Sequence, residues 1–386
     1  MINKAQSSVD KYHQAALNEQ NLLQSIEDYM GNFGLPDNTP TTPAGTHVKP
    51  PAKWLGTIVD AVADGKGNTF PVPKSFYYVG GDYTNGVIIS DDPADAYDGT
   101  TDKTTWEYTT SLVGNQFVWI PCTPSEYIKT SLGMIYGGYD TESGAGAEMM
   151  QVAKYGGFYV GRYEAGLADT ITEYTGNQIA SSSIYNLEGI TKSKAGELPW
   201  IFINYSNSKK SAENMYNTDE KHSDYVTSGL ITGTQWDVML NRFIGTTNAN
   251  GVTFTEADMK NSNKWGNYNN NNLTYTGRSA TLFSSGSNWY ISPWSAKQTN
   301  AETKVNTRTV FTTGASKSTE AYHTYDVAGN VWEWTEEVGQ GTAYRVIRAG
   351  SCFDASGTYP ACSRDGRGPV SSVNFSIGFR AVLYIK

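Results

Sequence analysis

The chain has 386 residues, enough for two or three domains or one large irregular one, and its 26 Tyr, 10 Trp and 39 Gly place it among loop-rich, β-containing proteins. Charged residues make up only 17% of it, the net charge is −9 and no run of Lys or Arg occurs, which excludes nucleic acid as a partner. No stretch of about 18 apolar residues is present and no basic-then-apolar leader is visible, so the segment is expected to make no membrane contact of its own.

Residues 1–31 read as one helix. Ile2, Ala5, Val9, Tyr12, Ala16, Leu23, Ile26 and Met30 fall on one face, broken by Glu19, and Gly31 stands where a helix end needs a left-handed residue. That helix is either docked on its own domain or a stalk through which copies associate. Residues 32–69, with Leu35-Pro-Asp-Asn-Thr-Pro and Pro50-Pro51, are expected to be a Pro/Thr/Gly-rich linker. Residues 70–116 form a small β-rich segment, with strand-like runs at Phe76–Val79 and Val87–Ile89. Gln116–Ile120 opens a larger domain, 117–386. In it Ser208–Tyr216 and Thr234–Phe243 are predicted helices; Trp236, Leu240 and Phe243 share a face of the second, and Thr234 is its expected cap. Lys264–Asn272, with its four consecutive Asn, reads as polar loop.

Few residues suggest ordinary enzyme chemistry. None of His13, His47, His222 and His323 shows metal-helix spacing, Ser284–Ser287 is turn composition without a nucleophile elbow, and Ser143–Gly146 lacks the Lys of a phosphate loop. Cys122, Cys352 and Cys362 are odd in number; a Cys352–Cys362 bridge is sterically open but spacing alone does not establish it.

From Phe117 onward, motifs recur in a characteristic order: Phe117-Val-Trp-Ile-Pro121, Phe158-Tyr-Val-Gly-Arg-Tyr-Glu-Ala165, Pro199-Trp-Ile-Phe-Ile-Asn204, Leu230-Ile-Thr-Gly-Thr-Gln-Trp236, Asp326-Val-Ala-Gly-Asn-Val-Trp-Glu-Trp-Thr335, Arg348-Ala-Gly-Ser351 and Ile377-Gly-Phe-Arg380. This series resembles the formylglycine-generating enzyme (sulfatase-modifying factor) family, a branch of the C-type lectin fold. The resemblance implies an α+β, loop-rich, C-type lectin-like domain. It also implies a structural calcium held by Asp326 and Glu333 with the carbonyls of Gly329 and Val331, a set of hard oxygen ligands. The enzymes of that family are copper oxidases acting on a Cys peptide, with two thiolates after the Arg-Gly-Gly-Ser block. Here Asp354 and Tyr359 stand nearest those positions, while Cys352 and Cys362 lie ten apart, so neither copper nor catalysis is expected.

A second branch of the same fold offers the better likeness: the variable proteins of diversity-generating retroelements, in which adenines in the last codons before a constant Ile-Gly-Phe-Arg are rewritten. A rewritten Asn codon ends in a pyrimidine and cannot encode Lys, Glu, Gln, Met or Trp. Residues 352–376 contain none of these five, though the rest of the chain uses them freely. The resemblance therefore implies a ligand-binding surface formed by Cys352, Phe353, Asp354, Ser356, Gly357, Tyr359, Asp365, Gly366, Gly368, Val370, Ser371, Ser372, Val373, Asn374, Phe375 and Ser376. Aromatics scattered among small polar residues suit an adaptable binding face. Ala361, Arg364, Pro369 and Arg380 read as scaffold. The expected partner is a protein or glycan on another cell. The N-terminal part, with Ile2-Asn-Lys-Ala-Gln and Phe76-Tyr-Tyr-Val-Gly-Gly81, resembles pilin-like or prophage-encoded surface proteins, implying an extracellular or cell-surface place, on a pilus or a phage virion. A copper oxidase, or a structural pilin or tail component without a ligand, is the alternative.

Overall fold

Alternation along Gln116–Pro121 sets the plan of the domain, because successive side chains of a strand point to opposite faces. Phe117 and Trp119 enter one apolar cluster, Val118 and Ile120 another, and all four are fully buried. The computed structural model describes residues 42–54, 58–129, 132, 135–136, 145–167, 191–217, 219–285 and 288–386. The chain divides into two units, Met1–Thr42 and Pro43–Lys386, and every described helix and strand belongs to the second. The expected N-terminal helix lies outside the described residues. No described helix is long and apolar enough to cross a membrane.

The central strand belongs to an antiparallel six-stranded sheet in the order Val226–Leu230, Ala381–Ile385, Gly157–Gly161, Gln116–Pro121, Val87–Ser90, Tyr77–Gly80. Helix Gly233–Phe243 joins the cluster on one face through Trp236, Met239, Leu240 and Phe243. Trp200–Ile203 and the helix Tyr205–Glu213 belong to the opposite face. A second, five-stranded sheet runs Ile377–Phe379, Trp332–Val338, Tyr344–Arg348, Arg364–Pro369, Ile135–Tyr136, with its first and last pairs parallel. The architecture is mixed, with few helices, many short strands and long loops.

Three sequence expectations change. The N-cap of Gly233–Phe243 is Thr232, two residues before the expected Thr234. The Thr232 hydroxyl accepts from the Gln235 N–H at 3.1 Å while the Gln235 side chain accepts from the Thr232 N–H at 3.0 Å, a complete capping box. The expected linker 32–69 is too long, since Val59–Ala63 pairs with Thr69–Pro73 and buries Val59, Ala61 and Val62. Residues 70–116 are no separate segment, because Tyr77–Gly80 and Val87–Ser90 complete the same sheet as the central strand.

Candidate functional site

The Gly-Asn-Val-Trp-Glu-Trp block behaves as a strand entered by a tight turn. Gly329 and Asn330 both take left-handed backbone, with φ of 73° and 55°. A Cβ at Gly329 would lie 2.2 Å from the Asn267 carbonyl, so only glycine fits. Trp332 and Trp334 then enter the core, and the Trp334 indole donates to the Ile203 carbonyl at 3.0 Å. Asn330 donates to the Glu164 carboxylate at 2.7 Å, which ties this block to the Phe158–Ala165 segment.

The four residues expected to hold calcium do not fit it. Glu333 is fully buried and grips Arg380 with both oxygens, at 3.1 and 2.7 Å. Asp326 accepts from the Gly314 N–H at 2.6 Å and the Thr319 hydroxyl at 2.8 Å. A guanidinium thus occupies the carboxylate that a metal would need. Burial also raises the pKa of both acids, which works against the ionised form that binds a cation. Arg380 carries the scaffold role read from the sequence, donating as well to the carbonyls of Gly161 and Tyr325.

The copper set is likewise not offered. All three cysteines are buried and outside any disulfide, so Cys352 and Cys362 form no bridge. They sit in different apolar clusters, and burial raises the Cys352 thiol well above its usual range. Asp354 and Tyr359, which the sequence reading sets nearest the thiolate positions, carry no soft sulfur.

The window 352–376 separates into an inner and an outer set. Among the residues expected to touch ligand, Cys352, Ser356, Asp365, Gly366, Gly368 and Ser376 are buried, which corrects their assignment to the surface. The reason is local. Cys352 packs into the core; the Ser356 N–H and hydroxyl bond the Asn270 side chain; Asp365, Gly366 and Gly368 lie in a strand between two others; and Ser376 bonds Asn374. Arg364 and Ala361 are fully buried scaffold as expected, whereas Pro369 is exposed.

The outer set is Phe353, Asp354, Gly357, Tyr359, Val370, Ser371, Ser372, Val373, Asn374 and Phe375, each half-buried or exposed. Phe353 and Phe375 meet edge to face at 5.7 Å, and Tyr359 meets Trp332 the same way at 5.0 Å. Phe353, Tyr359, Val370 and Phe375 pack against the core while remaining partly exposed, so rings held from below are presented to solvent. The Arg308 guanidinium lies 4.5 Å over the Phe353 ring. Asp354 and Asn374 are partly committed to their own loops, accepting from Ser351 and from Ser376 respectively.

What holds this outer set was missed in the sequence. The Asn-rich stretch, read as plain polar loop, is a cradle. Asn269 donates to the carbonyls of Phe353 and Asp354, and Asn270 brackets Ser356. Beneath it the buried Lys304 ammonium donates to the carbonyls of Tyr268 and Asn271 and to the Asn271 side-chain oxygen. Burial lowers the Lys304 pKa to about 8. Four Asn in a row mark such a cradle only in hindsight, since the Phe353 and Ser356 partners of Asn269 and Asn270 are 84 and 86 residues away. The loop turns at Ala349-Gly350, both left-handed, where a Cβ on Gly350 would lie 2.3 Å from the Tyr359 carbonyl. Gly350→Ala is therefore expected to lower stability by about 1–3 kcal/mol, checked by thermal melting.

Residues 188–385 match the family described as the sulfatase-modifying factor enzyme 1-like domain. No curated protein matches the chain. Among solved structures it is similar to Treponema denticola variable protein 1, with 14% identity and a TM-score of 0.29, over 71% of this chain and 97% of that one. The family match takes in the capped helix, the Asn cradle, the Gly-Asn-Val-Trp-Glu-Trp strand and the whole window, and the chain belongs to the sulfatase-modifying factor enzyme 1-like domain family.

Proposed function

We propose that this protein is a non-enzymatic receptor-recognition protein, displaying a diversified surface on a C-type lectin-like scaffold. The observation that carries the reading is the division of 352–376: its outer residues are rings and small polar groups facing solvent, and its inner residues are fixed by the core and by the Asn cradle. Such a division lets side chains change without disturbing the fold. The absence of Lys, Glu, Gln, Met and Trp from the same window supports rewriting at adenines. The ligand is a protein or glycan on another cell, met by a protein held at a cell surface, pilus or virion. The oxidase alternative lacks support in this donor set, and no specific observation favours a purely structural component.

A display library varied at Phe353, Tyr359, Val370, Ser371, Val373 and Phe375 tests this. Most members are expected to remain folded and protease-resistant, with fully exposed positions changing stability by about 0.5 kcal/mol or less. Selection on cell-surface proteins or glycans should yield distinct binders. Loss of folding in most members would end the proposal, as would a locus lacking both a reverse transcriptase and a near-copy of these codons that differs at adenines.

A further inference from the structure

One cleft among the described residues lies outside the window altogether. It has a volume of about 590 Å³, within the range of ligand sites, and is lined by segments around residues 78–85, 102–107, 246–249 and 317–325. Its walls are aromatic: Tyr78, Tyr97, Trp106 and Tyr322 all face it. Tyr78 and Tyr97 meet edge to face at 5.6 Å, the Tyr78 hydroxyl donates to the Gly81 carbonyl at 2.8 Å, and the Tyr322 hydroxyl donates to the Tyr83 carbonyl at 2.6 Å. The three tyrosine rings are thus locked in place. Gly81, with φ of 85°, could carry no side chain, since a Cβ would lie 2.0 Å from the Gly86 carbonyl.

Its charge is one-sided. Asp64, Asp82, Asp102, Glu107 and Glu320 line it against a single lysine, Lys317. Asp64 and Glu320 are committed to backbone N–H groups, whereas Asp82 and Asp102 use one oxygen each for their turns. Glu107 is exposed. Burial first, and then the charges of Asp64, Asp82 and Asp102, raise the Tyr78 phenol pKa, so those carboxylates act on the cleft. His323, bonded to the Gly86 carbonyl at 2.8 Å, has its pKa lowered by burial and adds no balancing charge.

We propose that this cleft is a second binding site, which takes a cationic side chain, Lys or Arg, presented by a partner polypeptide. Carboxylates with spare lone pairs beside fixed ring faces are what a desolvating cation needs. Every residue of the site lies outside 352–376. The assignment does not rest on the reading above.

Calorimetric titration of the full chain with trilysine at low salt tests it. Saturable binding is expected, weakening with added salt and falling about fivefold or more in D102N/E107Q, whose two positions are exposed. E220Q, outside the cleft lining, and F353A, in the window, should leave that binding unchanged. The proposal is overturned by an absence of saturable binding, by equal binding in D102N/E107Q, by loss in F353A, or by preference for the neutral saccharide chitotriose. Circular dichroism of each variant distinguishes lost binding from lost structure.

Discussion

Asp237→Ala is expected to destabilise the domain by about 3–5 kcal/mol, lowering the urea midpoint without changing the slope of the transition. Asp237, on the capped helix, binds Arg348 at 2.7 Å through one oxygen and Arg364 through the other. Arg364 also lies 3.1 Å from Glu337, and Lys129 closes the network at 3.2 Å from the same acid. The side chains of Asp237, Glu337, Arg348 and Arg364 are 1% exposed or less, so bulk solvent does not reach them. Two guanidinium groups would then face one buried carboxylate. The cost comes from stranding charge rather than from losing an attraction, so an exposed pair such as Lys260–Glu256 should contribute about 0.5 kcal/mol at most. A loss below about 1 kcal/mol for Asp237→Ala would mean that the network is hydrated.

Arg380→Ala should be of similar size, about 3–5 kcal/mol, and in addition dependent on pH. Arg380 lowers the pKa of three buried acids, Glu164, Asp326 and Glu333, yet burial still leaves each above its ordinary value of 4.5 for Glu or 3.8 for Asp. An acid whose folded pKa is raised contributes stability that is complete below the unfolded pKa and declines as pH climbs toward the folded one. Removing Arg380 raises all three further and widens that window. The deficit of the variant relative to the parent should therefore be smaller near about pH 5 than near about pH 8. Equal deficits at the two values, measured by urea melts, would show that the acids are not protonated in the fold.

These two clusters mark where reading the sequence stops. The strand-like runs at Phe76–Val79 and Val87–Ile89 and the shared face of Trp236, Leu240 and Phe243 are local patterns, and all appear in the fold. The partners of Asp237 are 111 and 127 residues away, and no local pattern pairs them. The Val59–Ala63 hairpin was hidden for another reason: its second strand, Thr-Phe-Pro-Val-Pro, contains two prolines. The pair forms a sheet of two strands, where a missing N–H can face outward without breaking a central ladder. The window 352–376 was drawn from the residue types that it lacks, and its division into inner and outer residues was not legible there. Loop residues carry no period, and Phe353 and Cys352 differ in burial only because Asn269 and the core grip the chain between them.

Arg364 lies within the window and cannot be spared by the fold. If an adenine-directed process rewrites this stretch, the near-copy that serves as its template has to protect that residue in its choice of synonymous triplet. Arginine can be written with AGA or AGG, both open to rewriting, or with CGC or CGT, which contain nothing to rewrite. The same holds for the serines: TCC would keep the buried Ser356 silent, whereas AGC would expose it to change. A reading of the template near-copy at these two triplets thus shows whether the genetic text already distinguishes the residues that carry the framework from those that face outward.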